Sequence, residues 1–137
     1  MPPFASFWQG LDIKDWAKLG LLAKEGIRKE RGNRRSVIKD LSAFLQRKGW
    51  LGKADADALS ALKACLSFLA DSPARIVLVN LEDLWLETQP QNIPSTQEQY
   101  PNWRRKARYS LDELCHMPQV LGTIHIINSL RRQGRHQ

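Results

Sequence analysis

Cysteine is nearly absent from this chain: Cys65 and Cys115 are the two among 137 residues. They share no CxxC or metal-ligand spacing, which excludes a disulfide-stapled framework and reads as reduced, buried thiols of a cytoplasmic protein. Histidine is as scarce, with His116, His125 and His136 in no zinc-ligand grouping, so no metal is expected. Long hydrophobic runs are missing too, and no stretch is long enough to cross a bilayer as a helix. The opening Met1-Pro2-Pro3-Phe4-Ala5-Ser6-Phe7-Trp8 lacks the basic head and apolar segment of a secretory signal. There is no internal repeat and no low-complexity tract.

What is abundant is positive charge, with a net +7 and a pI near 9.8. The basic residues gather at Arg28, Lys29, Arg31, Arg34, Arg35 and Lys39, again at Arg104, Arg105, Lys106 and Arg108, and at Arg131, Arg132 and Arg135. A phosphate-binding surface needs such residues on one face. Glu25, Glu30 and Asp40 interrupt the first cluster, so a solvated helix face is the preferred reading. A small basic helical module that binds nucleic acid through residues 28–39 is the alternative.

With 42% hydrophobic residues the chain can build a single-domain core. Asp12 has the character of an N-cap, with Asp15 favouring the helix dipole, and Ile13, Trp16, Ala17, Gly20, Ala23 and Ile27 recur at helical spacing. Gly32-Asn33 is expected to end that helix. A second helix should start near Ser36 with Val37, Leu41, Phe44, Leu45 and Lys48 on one face, ending at Gly49. A third, Ala- and Leu-rich, is predicted from Asp57 to Ala70, with Ala58, Leu62, Cys65, Leu66 and Leu69 inward. Asp55 and Asp57 read as caps. Ile76-Val77-Leu78-Val79 is continuously apolar, the signature of a parallel strand covered on both faces. Asn80 to Leu86 predicts a short helical turn. Ser110 and Glu113 have capping-box spacing, and Pro118 suits the first turn of a last helix through Leu121, Ile124, Ile127 and Leu130.

One strand cannot satisfy its own backbone donors and acceptors, and no other segment reads as a strand. The chain is therefore expected to be part of something larger. Between the strand and the last helices lies a long loop, Gln89-Pro90-Gln91-Asn92-Ile93-Pro94-Ser95-Thr96 followed by Tyr100-Pro101-Asn102-Trp103-Arg104-Arg105-Lys106. Its prolines forbid a helix, and loops of that length in compact domains usually carry function. Its Asn, Gln, Ser, Thr, Tyr and Trp side chains bond hydroxyls and stack on sugar faces. A Pro-rich surface loop with one buried Trp is the plainer alternative.

Val79-Asn80-Leu81-Glu82-Asp83-Leu84, Gln91-Asn92-Ile93-Pro94-Ser95-Thr96 and Tyr100-Pro101-Asn102-Trp103-Arg104-Arg105 together resemble the C-terminal region of the 4-α-glucanotransferases, the amylomaltases of glycoside hydrolase family 77. That family carries an acidic Leu-Glu-Asp-Leu-like segment, then Asn-x-Pro-Gly-Thr, then Pro-Asn-Trp-Arg-Arg. The opening residues to Asp12 resemble those that follow its Thr-His-Asp motif. Ser95 stands where the family usually has Gly, so the loop path is expected to differ locally.

The resemblance implies an α/β fold: the C-terminal part of a (β/α)8 barrel, mostly helical in isolation, with one core parallel strand near 75–79. Residues 1–106 would belong to the catalytic barrel and 107–137 to a helical tail. It implies transfer of α-1,4-glucan segments by a retaining mechanism on a carboxylate nucleophile and a carboxyl acid/base. In the family these acids lie upstream of the matching region, so no catalytic residue is expected here, and Met1 looks like an internal methionine. Glu82 and Asp83 are adjacent and cannot flank one bond. Asn92, Ile93 and Pro94 would line the glucan cleft; an Asx-turn before Pro94 is the alternative for Asn92. Trp103 is expected to anchor the loop, Arg104 and Arg105 to pair with Glu82 or Asp83, and Trp8 and Trp16 to pack an outer helix. Trp85 is expected beneath the loop with Tyr100 supporting it. The expected partner is an α-1,4-glucan or maltooligosaccharide, without cofactor, nucleic acid or membrane. A partner that completes another chain's barrel is a further alternative.

Overall fold

A computed structural model describes residues 2–52 and 56–133. Its helices are α1 (Phe4–Gln9), α2 (Leu11–Lys18), α3 (Lys24–Arg47), α4 (Ala58–Asp71), α5 (Leu111–Leu114) and α6 (Pro118–Gln133), with a 3₁₀ turn at Leu81–Trp85 between α4 and α5.

α4 is the centre of the molecule. Leu62 and Leu66 pack with Leu84, Trp85, Leu114 and Val120, while Ala64 packs with Leu45 and Leu51 on another side. A helix buried on more than one face needs small residues for close approach, which is why α4 is rich in Ala. Phe44 of α3 meets Phe68 of α4 edge to face at 5.0 Å. α6 lies against α4 and the 3₁₀ turn. Gln119 donates to the Leu84 carbonyl at 2.7 Å, and Arg131 reaches the carbonyls of Ser72 and Arg75.

Several boundaries match the sequence. Asp57 caps α4 by accepting the Ser60 N–H at 2.8 Å. Asp55 lies outside the described residues. The Ser110–Glu113 capping box opens α5, and Pro118 is the first residue of α6.

The N-terminal half departs from expectation. The helix expected from Asp12 past Ile27 is two. Gly20 takes φ 71°, and the N–H groups of Gly20 and Leu21 return to the carbonyls of Ala17 and Trp16. That Schellman closure ends α2 at Lys18. α3 then runs unbroken through Gly32-Asn33, where a helical glycine costs only about 1 kcal/mol. It ends in a second Schellman closure, with Gly49 at φ 77° and the Trp50 N–H on the Leu45 carbonyl at 2.9 Å. Asp12 is not an N-cap: Gly10 holds that position in a left-handed conformation and joins α1 to α2. Val37 is exposed, as are Leu69, Leu121 and Ile124, because α3, α4 and α6 each pack through only part of their apolar stripe.

The expected core strand is the main correction. No strand forms among the described residues. Ile76 and Leu78 are 78% and 86% exposed, and only Val79 packs against the core. The physical reason is the one that made a lone strand unsatisfactory: there is no neighbour to pair with. No helix among the described residues is long and apolar enough to cross a membrane.

Candidate functional site

The 3₁₀ turn sets out the acidic residues at the base of the loop. Asp83 turns back to accept the Phe4 N–H at 2.7 Å, capping α1, whose own N-cap Pro3 offers no side-chain acceptor. Burial pushes the Asp83 carboxyl above its ordinary range and Glu82 adds to this, against the lowering by Phe4 and Asn80. Glu82 instead accepts from Arg105 at 2.7 Å and from Gln91 at 2.8 Å.

Glu87 is 4% exposed and accepts the N–H groups of Thr88 and Gln89 and the Arg105 guanidinium at 3.2 Å. Burial alone would raise this carboxyl, but the Gln89 and Thr88 N–H groups, the Trp85 indole and Arg105 together hold it below its ordinary range. Arg105 also donates to the Gln89 carbonyl at 2.9 Å, so one guanidinium ties the start of the loop to its end.

Asn102 does the same for the tip. Its Oδ1 accepts the Ile93 N–H at 2.9 Å, and its Nδ2 reaches the Thr96 carbonyl and hydroxyl at 3.2 and 3.0 Å. The Thr96 hydroxyl donates to the Ile93 carbonyl at 2.6 Å, and the Trp103 N–H to the Gln91 carbonyl at 2.7 Å. These bonds hold an unfavourable backbone. Of the non-glycine residues with positive φ among the described residues, Ser95 and Trp103 lie on this loop, at 66° and 61°, and Leu86 closes the 3₁₀ turn just before it, at 60°. Each left-handed residue costs roughly 1–2 kcal/mol, so the loop keeps its shape only because its hydrogen bonds over-determine it.

Asn92, Ile93 and Pro94 come together around a cavity of about 90 Å³ whose other walls are Pro2, Asp12, Asp15, Trp16 and Pro90. The Asn92 amide bonds to no protein group among the described residues, so no Asx-turn forms. Ile93 is 3% exposed and its N–H is taken by Asn102. Pro94 has no N–H and is exposed. A larger cleft of about 470 Å³ adjoins, lined by Asp15, Gln89, Pro90, Tyr100, Pro101, Arg104 and Arg105. Asp15 and Pro90 wall both spaces.

Arg105 pairs with Glu82 as expected, while Asp83 serves α1. Trp103 is not the anchor: it is 74% exposed, turned outward by its positive φ, and Arg105 and Asn102 hold the loop in its place. Trp85 is core, but its aromatic neighbour is Tyr109, edge-on at 5.7 Å; the Tyr100 hydroxyl donates to the Pro90 carbonyl. Trp8 stacks on Phe4 and donates to the Ala56 carbonyl, whereas Trp16 faces the small cavity. The parts played by Asn102, Glu87 and Asp15 are not legible in the sequence. The available signal was a polar residue beside Pro101, which marks a turn but not its partner.

The family model described as 4-alpha-glucanotransferase matches residues 1–112, which include both walls of the cleft and the whole loop. The chain belongs to the 4-alpha-glucanotransferase family. Among curated relatives, a 4-alpha-glucanotransferase of Haemophilus influenzae is 33% identical over 113 residues, covering 77% of this chain and 16% of that protein. Those of Mycobacterium bovis and Mycobacterium tuberculosis are each 32% identical over 105 residues, covering 76% of this chain and 14% of theirs. This member of the family thus spans a small part of the length of the glucanotransferases it matches. The residues that fix its loop all lie inside the matched region.

Proposed function

We propose that the chain is the glucan-facing C-terminal portion of a 4-α-glucanotransferase, and that the complete enzyme passes α-1,4-glucan segments between acceptors by a retaining two-step mechanism. Its part is to bind and orient the sugar, not to break the bond. The observation that carries this reading is the family match over a loop held in one strained conformation. In it the Asn92 amide is left unbonded at the edge of a cavity. That amide offers both donors and an acceptor to sugar hydroxyls. Ile93 shapes the site from beneath, and Pro94 presents its ring at the rim.

The acids needed for a retaining reaction must face one scissile bond from two sides. Here Asp12 is engaged by Arg34, Glu82 by Arg105 and Gln91, Asp83 by Phe4, and Glu87 by Thr88, Gln89 and Arg105. Asp15 is the one carboxylate on the cleft without a partner among the described residues, and a single carboxylate is not a dyad. The nucleophile and acid/base are therefore assigned to residues outside this chain. Residues 75–79 would become a barrel strand when neighbours are supplied, with 1–106 in the barrel and 107–137 as its tail.

The test is incubation of the pure 137-residue chain with maltotriose. No glucose and no longer maltodextrin should form. Their appearance would overturn the assignment of the catalytic acids elsewhere.

A further inference from the structure

The break expected at Gly32-Asn33 does not occur, and the unbroken α3 aligns charges that the sequence separates. Lys24, Arg28, Arg31 and Arg35 follow one another at steps of four, three and four residues. On one helix that spacing makes a single row, about 16 Å long. All four are exposed, and with Ile27 they line an open cavity of about 290 Å³ on the helix surface. None makes an ion pair among the described residues. Arg35 Nε reaches only the Arg31 carbonyl, at 3.4 Å, along the row.

The acids that interrupt this cluster in the sequence leave the row clear. Glu25 and Glu30 lie roughly a quarter to a third of a turn away on opposite flanks. Asp40 lies on the far side, where it accepts from the Ser36 hydroxyl. Like charges at four-residue spacing destabilise a helix, and Lys24 in the first turn opposes the helix dipole. The row thus does nothing for the helix that bears it, and an anionic partner would relieve its repulsion. It shares no residue with the long loop or the cavities beside it.

The surroundings of the row select the kind of anion. Single-stranded nucleic acid is held by aromatic side chains on which bases stack, and no aromatic residue lines this cavity. A helix in a duplex groove has a phosphate backbone on each side, and here Glu25 and Glu30 would meet them. A narrow acidic segment laid along the row meets only the cations and the half-buried Ile27. Three of the four cations are arginines, whose planar fork matches a carboxylate. We infer that this face of α3 docks an acidic helix of a partner protein, one whose carboxylates recur at the same spacing and whose apolar side chain seats on Ile27.

The test is fluorescence anisotropy of a labelled helical peptide titrated with the 137-residue chain. The peptide carries glutamates at the spacing of the row and one leucine on the same face. Binding is expected, and it should weaken as salt is raised. Arg31→Glu should weaken it roughly tenfold, because an ion pair is replaced by a repulsion. Lys29→Glu makes the same change of net charge off the row and should alter binding by less than about twofold. Urea midpoints check folding, and Arg31→Gln, with roughly a threefold loss, stands in should Arg31→Glu fail to fold. Equal losses at Arg31 and Lys29 would overturn the row as a site and leave an effect of net charge. Equally tight binding of a peptide of the same composition, its glutamates spread around the helix, would overturn it too. An oligonucleotide, single- or double-stranded, that binds more tightly than the peptide and is lost in Arg31→Glu would replace the acidic helix by nucleic acid. No binding of the matched peptide at low salt would remove the inference and leave the glucan-facing role standing.

Discussion

Asp12 and Arg34 meet through two parallel hydrogen bonds of 2.8 Å, both side chains withdrawn from solvent. The same guanidinium donates to the Phe7 carbonyl at 2.6 Å and lies 3.8 Å from the centre of the Phe7 ring. One arginine from the middle of α3 thus clamps α1 and α2 together. Removing Asp12 would strand a buried cation. Asp12→Ala is expected to cost about 3–5 kcal/mol in urea unfolding, while the pair replacement Asp12→Leu with Arg34→Met should recover most of the loss. A double variant no more stable than the single one would refute the clamp.

Ser95 occupies a left-handed position at φ 66°, directly after Pro94, where its family usually carries glycine. Ser95 thus takes a glycine-type backbone conformation with a side chain that resists it. Ser95→Gly should raise stability by about 1 kcal/mol, and Ser95→Ala should not. Chemical denaturation of both variants distinguishes relief of backbone strain from loss of a hydroxyl.

Exposure separates two apolar neighbours in the sequence. Leu78 is 86% exposed and Leu84 is 2% exposed. Leu84→Ala should cost about 2–5 kcal/mol, whereas Leu78→Ser should change stability by no more than about 0.5 kcal/mol. A large loss at Leu78 in thermal melts would mean that residues 75–79 are paired after all.

Glu87 makes the loop sensitive to acid. Its carboxyl titrates below the ordinary glutamate value of about 4.3. Its contribution to stability is therefore complete above that value and is lost as pH falls through the lower, folded one. Urea midpoints should drop as pH is lowered from about 5 to about 3, and less steeply in Glu87→Gln. A slope remains from Asp57 and Glu113, which the Ser60 and Ser110 backbone N–H groups hold down. Asp83, raised by burial, acts in the opposite direction. An unchanged slope in Glu87→Gln would show that the loop does not carry the acid response.

The features legible in the sequence are those decided within a few residues. Asp57 before α4, the Ser110–Glu113 box, Pro118 at the head of α6 and the turn after Asn80 each rest on local chemistry. That Asn92, Ile93 and Pro94 belong to one loop was legible through its motif, and they line one cavity in the structure. What the sequence hid depends on partners far along the chain. Nothing near Arg34 marks it as the buried member of a basic cluster, because its acid lies 22 positions earlier. Gly20 and Gly32 look alike in sequence, yet of the two only Gly20 takes the left-handed turn, while Gly32 lies inside α3. The apolar residues 75–79 read as a strand on composition, but strandedness belongs to a pair. Trp103 misled through size: a large aromatic is an anchor only where its backbone points it inward.

The carboxylate that closes the start of α1 belongs to a residue 79 positions further on. During synthesis every residue between Phe4 and Asp83 must leave the ribosome before α1 acquires its cap. Closing so long a span is slow beside the coiling of a local segment. The opening helices are thus expected to lock last, and pulse-labelled amide exchange during refolding should show α4 protected ahead of the Phe4 amide. Simultaneous protection would mean that both ends of the span are gathered in a single step.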